Sequence, residues 1–249
     1  MVAPTLAEKP TLPANVHRYG CEKEDIMFEV LDSVLTEAEC RALITRMSPA
    51  LKSVSGALSR LHPLGEQRTS KTEYCLSVME NKRFADVIWQ RLMDSEAFAS
   101  IYKYTQREGC DMPLGLAPRL RLLRYEGSDR FDAHYDRIVP DEATSESMRL
   151  RDTPSYPCIG SESLITVLIY LNDGGGVDFH GGETLYINPD NTDDAVGVVP
   201  KTGRVVLFEH CLFHAGSPLQ HIDDAIANRK YVMRTDILFR IQAKNHDKY

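Results

Sequence analysis

Two hydrophobic periods divide this chain. Up to about residue 110 the apolar positions recur at helical spacing. In "SVLTEAECRALITRMSP", Leu43, Ile44 and Met47 share a face, Thr36 and Glu39 make a capping box, and Pro49 stops the run. A second helix is predicted in "KRFADVIWQRLMD", where Phe84, Val87, Ile88 and Leu92 share a face that also recruits Trp89. Both helices read as buttresses for a core. Between them "SVSGALSRLHPLGEQRTSKTEY" is polar and without a clean period, and it reads as the irregular edge of a cleft. From Pro118 onward the pattern turns to strands: "RLRLLRY", "ITVLIYLN", "ETLYI", "VGVVP", "GRVVLFE" and "KYVMRTDILF" are short β-branched or aromatic runs separated by Gly, Asp, Asn and Pro. That is the pattern of a sandwich or jelly roll, and the lack of long intervening helices argues against a parallel α/β sheet. The expected class is mostly β with flanking α (α+β).

Residues 1–20, rich in Pro, Ala and Thr, read as a disordered tail. Residues 21–249 read as one domain, with a helical support region over 21–110 and a β core over 111–249. At 249 residues, 43% hydrophobic and 26% charged, the chain can bury a sizeable core. A net charge of −7 offers nothing like the basic stripe of a nucleic-acid binder, so no nucleic-acid partner is expected. Six scattered cysteines without a CxxC pair fit reduced, mostly packed thiols better than a disulfide framework or a zinc site. The first residues have no apolar signal region and no stretch approaches 18 apolar residues. The expectation is a cytoplasmic protein, the nucleus also being open, with no membrane partner. Nothing in the pattern bears on oligomeric state.

The chemistry-bearing residues gather in the β half. In "RFDAHYD" a His-x-Asp pair, His134 and Asp136, puts two potential ligands on one face of a strand, because strand side chains alternate with period two. The motif alone is weak, and a second copy exists at His221 and Asp223. That copy lies in "PLQHIDDAIANR", which lacks strand alternation, and is set aside. A third ligand must come from another strand, and "GRVVLFEHCLFHAG" offers His210 and His214. His214 is followed by Ala-Gly, which leaves room for a close approach, and His210 reads as a packed or supporting histidine. His180 in "DFHGGET" reads as a loop histidine. Two histidines and one carboxylate on one face of an iron leave three coordination positions open, the arrangement of mononuclear iron oxygenases.

The blocks "LRLLRYEGSDRFDAHYDR", "SLITVLIYLNDGGGVDFHGGETLYI", "VPKTGRVVLFEHCLFHAGSPL" and "RKYVMRTDILFR" resemble, in order, the catalytic domain of the iron(II) and 2-oxoglutarate-dependent oxygenases, in particular the prolyl 4-hydroxylase-like branch. The likeness spans about residues 118–240. It implies a double-stranded β-helix, a jelly roll whose mouth holds Fe(II), in a single oxygenase domain. It also implies 2-oxoglutarate and dioxygen as cosubstrates, and leaves room for ascorbate. Carried over residue by residue, His134, Asp136 and His214 match the metal ligands. Tyr125, Tyr170 and Thr184 match positions that contact 2-oxoglutarate. The distal carboxylate of that cosubstrate needs a shielded cation. Lys230 matches the family position. Arg234, four residues on along the same strand face, is the alternative, or a partner for Asp136 or substrate.

The implied reaction couples decarboxylation of 2-oxoglutarate to succinate and carbon dioxide with hydroxylation of an unactivated C–H bond. The resemblance favours a prolyl or other side chain of a peptide or protein, with a free amino acid or small metabolite as the second reading. A non-catalytic β-helix module is the third, and an intact ligand set speaks against it. Substrate contacts are expected from Arg121, on the strand face of Tyr125, and from Arg137, which opens the charged connection 137–163. A connection of that length is commonly a lid or disordered.

Overall fold

The computed structural model describes residues 4–13, 16, 26–61, 67–127, 129–136, 161–220 and 228–240. In chain order the elements are β1 (Thr5–Leu6), β2 (Phe28–Asp32), α1 (Glu37–Met47), β3 (Lys52–Leu61), β4 (Gln67–Glu80), α2 (Lys82–Met93), α3 (Ala97–Glu108), β5 (Gly115–Leu116), β6 (Arg119–Glu126) and β7 (Arg130–His134). They continue with β8 (Ser161–Tyr170), β9 (His180–Gly181), β10 (Thr184–Asn188), β11 (Asn191–Val198), β12 (Val205–Glu209), β13 (His214–Gly216), β14 (Leu219–Gln220) and β15 (Arg229–Arg240). The main hydrogen-bonded path runs β1-β2-β12-β8-β15-β6-β4-β7-β13-β10-β11, and β9 with β14 forms a small separate pair. Its pairings are antiparallel.

Although β10 and β12 lie far apart on that path, Tyr186 of β10 meets Phe208 of β12 edge-on at 5.3 Å and Phe28 of β2 at 4.7 Å. The sheet therefore curls back on itself, as a jelly roll must. Period two does the sorting within each strand. On β15, Met233, Ile237 and Phe239 join the cluster that includes the buried faces of α1, α2 and α3, while Val232 joins the cluster inside the roll. The same split holds for β12, where Val205 and Leu207 face the helices and Val206 and Phe208 face inward. Lys230, Arg234 and Asp236 share the parity of Val232. They therefore face the interior, where a charge is tolerated only with a partner.

The capping box of α1 is present: Thr36 Oγ1 accepts from the Glu39 backbone N–H and Glu39 accepts from that of Thr36. In α2 the buried stripe is Ala85, Ile88 and Leu92, with Phe84 and Trp89 packed beside it. Val87, expected on that face, is 44% exposed, since one residue before Ile88 is about 100° round the helix. The stretch 53–74, read as irregular, is a hairpin instead. β3 and β4 pair from Lys52↔Leu76 to Leu61↔Gln67, held by a backbone ladder that needs no apolar alternation. In the segment read as a disordered tail, Thr5–Leu6 pairs with β2. His180 starts β9 rather than lying in a loop. The pair His221 and Asp223, Arg137 and nearly all of 137–163 lie outside the described residues. Among the described residues, Cys40, Cys75 and Cys110 are free thiols, and no helix is long and apolar enough to cross a membrane.

Candidate metal centre

His134 ends β7, His214 begins β13, and the two are register partners in adjacent antiparallel strands. Their rings come within 4.3 Å, and Asp136, two residues past His134, completes the group. One ligand atom from each residue lies within 4.8 Å of the others. His134 Nε2 is 3.6 Å from Asp136 Oδ1 and His214 Nε2 is 3.7 Å from Asp136 Oδ2. Each imidazole has its Nδ1 2.9 Å from a backbone carbonyl, that of Asp132 for His134 and that of Leu212 for His214. A carbonyl has no proton to give, so Nδ1 carries the hydrogen and the Nε2 lone pair faces Asp136. Such bonds fix tautomer and ring orientation in metal-binding histidines. Burial, reinforced by His134, pushes the His214 imidazolium down to about 3, so this ring is neutral at physiological pH.

Asp136 is gripped from two sides. Thr166 Oγ1 of β8 donates to its Oδ2 at 2.5 Å, and Arg234 Nη1 of β15 lies 2.7 Å from its Oδ1. Burial disfavours the carboxylate, but Arg234 and the two imidazoles outweigh it and hold this carboxyl well below its ordinary range. Arg234 in turn touches Asp236 at 3.4 Å. Asp236 also meets Arg121 Nη1 at 3.5 Å and His210 Nε2 at 3.4 Å. His210 is thus beside Asp236 and is not in the three-residue cluster. Two imidazole lone pairs and an ionised carboxylate converging on one point fit a divalent transition metal.

On the other side of the roll Lys230, 3% exposed, is surrounded by aromatic rings. Its Nζ donates to the Gly182 carbonyl at 2.6 Å and lies 5.2 Å from the Tyr125 ring centroid and 5.8 Å from that of Tyr170. Tyr170 Oη donates to Thr184 Oγ1 at 2.7 Å. The "GGET" turn makes this packing feasible. Gly182 has φ +71°, and a Cβ there would lie 2.7 Å from Leu219 Cδ2 and 3.2 Å from Lys230 Cδ. Burial pushes the Lys230 ammonium down to about 8 against a weaker opposing pull from Glu183. Among the described residues no carboxylate forms an ion pair with it.

Residues 120–234 match the family model described as the 2OG-Fe(II) oxygenase superfamily. That match spans 115 of the chain's 249 residues and makes the chain similar to the superfamily over its β half. The chain has no match among curated proteins. Among solved structures it is similar to a prolyl hydroxylase from Trichoplax adhaerens in complex with a hypoxia inducible factor oxygen degradation domain peptide fragment. That match has 17% identity, 85% of this chain and 83% of that one covered, and a TM-score of 0.51. A prolyl-4-hydroxylase from Pseudomonas putida aligns at 13% identity over 88% of this chain and 94% of that one, with a TM-score of 0.50. These likenesses show the double-stranded β-helix fold. The match, together with the His134, Asp136 and His214 cluster, is that of a dioxygenase and implies Fe(II), 2-oxoglutarate and dioxygen.

The structure groups His134, Asp136 and His214, sets Lys230 against the Tyr125 and Tyr170 rings with Tyr170 bonded to Thr184, and puts Arg234, Arg121 and His210 beside Asp236. Three inward residues escaped the sequence reading: Thr166, Asp236 and Tyr186. Each shares strand parity with a residue that was recognised, Thr166 with Tyr170, Asp236 with Arg234, and Tyr186 with Thr184, and that parity is the signal that would have found them.

Proposed function

We propose that the protein hydroxylates an unactivated C–H bond of a prolyl or other side chain in a peptide or protein. The balanced reaction takes 2-oxoglutarate, dioxygen and R–H to succinate, carbon dioxide and R–OH, one oxygen atom entering succinate and the other the product. The observation that carries the reading is the His134, Asp136 and His214 cluster facing the same interior as a buried lysine with no carboxylate partner among the described residues. Bound iron(II) would supply dioxygen activation and one-electron chemistry.

The residues divide that work. His134, Asp136 and His214 hold the metal, each ligand pre-set by a bond to its far side. Lys230 takes the distal carboxylate of 2-oxoglutarate, with Tyr125, Tyr170 and Thr184 walling that end from water. A charge-assisted bond in so dry a site is strong. We assign this carboxylate to Lys230 and not to Arg234, whose guanidinium already joins Asp136 to Asp236. The peptide reading draws support from the fold shared with the Trichoplax adhaerens and Pseudomonas putida prolyl hydroxylases. A small acidic metabolite would want a free interior cation, and Arg121 faces Asp236 instead.

Purified protein given iron(II), 2-oxoglutarate and dioxygen should release succinate in step with a one-oxygen gain in a peptide pool, read by mass spectrometry. Oxygen gain confined to free metabolites would replace the peptide reading with the metabolite one. Succinate release without any acceptor product would sink both.

A further inference from the structure

Tyr186 is a buried phenol without a use. Its residue is fully buried and its hydroxyl has no hydrogen-bond partner among the described residues. An orphaned hydroxyl in such a place is destabilising unless something absent from the protein chain completes it. Its surroundings say what that is. On β10 it is the register partner of His214 and stands two residues from Thr184 on the same strand face. Its ring packs with Phe28, Phe208 and His214, the last at 6.3 Å between centroids, in the same interior cluster as Tyr125 and Tyr170. Burial, with Tyr170 and Asp136 nearby, pushes its ionisation well above the ordinary phenol range, so the group is a hydrogen-bond donor throughout the physiological range. A second donor with bonding capacity to spare, besides the buried Arg234 Nε, is the Lys230 ammonium, which stands over the Tyr125 and Tyr170 rings of the same cluster. It has three N–H bonds and a hydrogen bond only to the Gly182 carbonyl among the described residues. Two unmet donors, one of them cationic, ask for a carboxylate.

We infer that the Tyr186 hydroxyl is a further cosubstrate-binding group, donating a hydrogen bond to a carboxylate oxygen of 2-oxoglutarate held between Lys230 and the metal ligands. This rests on the reading of the pocket given under Proposed function. It makes Tyr186 a contact residue for the cosubstrate, distinct from its packing role, and the two roles separate cleanly in Tyr186→Phe, which keeps the ring and deletes the donor.

The test is anaerobic titration of iron(II)-loaded wild-type and Tyr186→Phe protein with 2-oxoglutarate, followed by the visible metal-to-ligand band. Metal affinity and the thermal melt of the metal-free protein are measured alongside. The 2-oxoglutarate dissociation constant should rise about tenfold or more, the loss expected for a hydrogen bond to a charged group. Metal affinity should hold, and the metal-free melt should stay level or rise because a buried orphan has been removed. Equal 2-oxoglutarate affinity in the two proteins overturns the inference. So does a parallel loss of metal affinity or a lowered melt, which would make the hydroxyl structural. Wild-type protein that binds iron but shows no 2-oxoglutarate saturation overturns the parent reading of the pocket, and this inference with it.

Discussion

The two ends of the interior are built on opposite principles. At the metal end the charges are paired: Asp136 with Arg234, Arg234 also with Asp236, and Asp236 with Arg121, while Thr166 donates to Asp136; only the His210 nitrogens and Arg234 Nε are left there without a hydrogen-bond partner among the described residues. Away from those pairs Lys230, and Tyr186 beside His214, are buried with hydrogen-bonding capacity left over among the described residues. A matched network fixes geometry before any ligand arrives, which is what a coordination site needs from the atoms behind its ligands. An unmatched donor set is unstable alone and is completed by its ligand, so the free energy it lacks in the empty protein reappears as affinity. The proposed placing of the anion at Lys230 rests on that contrast and not on the presence of a lysine alone.

The largest effect should come from the ligands themselves. His134→Ala or Asp136→Ala should abolish the anaerobic iron(II) and 2-oxoglutarate band, and a band that survives either change would break the metal assignment. Removing Arg234 is the next strongest test, because Arg234→Met leaves Asp136 and Asp236 buried beside one another without their shared cation. Breaking a buried pair from one side costs about 3–5 kcal/mol. The urea midpoint of the metal-free protein should fall accordingly. An unchanged midpoint would mean that the matched end is not matched.

Lys230→Met sharpens the comparison by reversing the sign. It removes a buried charge that has no carboxylate partner among the described residues, so the metal-free protein should be no less stable, whereas Arg234→Met should weaken it. The 2-oxoglutarate dissociation constant should rise about tenfold to a hundredfold with metal affinity intact, the range of a lost charge-assisted bond. If the requirement for 2-oxoglutarate is unchanged, the anchor belongs to another residue and the two ends are not divided as proposed.

Much of this division could be read along the chain. The six strand runs from "RLRLLRY" to "KYVMRTDILF" were visible because each carries enough β-branched and aromatic residues to declare a period of two, and all six regions form strands. His134, Asp136 and His214 were visible because spacing and neighbouring glycine restrict where a ligand can sit. The β3–β4 hairpin was not visible, since its polar sequence lacks the apolar alternation on which strand reading depends while its ladder is made by the backbone. Thr166, Asp236 and Tyr186 were hidden for a different reason. Each sits inside a run read as structural, and its importance comes from which residue lies across the roll, a fact about curling that a linear period does not carry.

pH offers the finest test, because the two ends should respond differently near neutrality. The Lys230 ammonium has its pKa lowered from 10.5 to about 8 by burial, so in the empty protein it loses its proton as pH rises through that value. A bound carboxylate favours the charged form and raises the pKa again, so 2-oxoglutarate must bind with uptake of a proton above about pH 8. If the bound form stays protonated, affinity should fall about fourfold between about pH 7 and pH 8.5. The stability of the empty protein moves the other way. Between about 8 and 10.5 the unfolded chain holds a proton on this lysine that the folded chain has released, so the lysine makes stability rise with pH in that window. The Asp136 carboxyl, held well below its usual range, contributes stability already present above the unfolded carboxylate pKa and lost only as pH falls into the acid range. Affinity for 2-oxoglutarate measured against pH should therefore bend near 8 in wild-type protein and lose that bend in Lys230→Met. A bend that persists in the variant would assign the titration, and with it the anion site, to some other group.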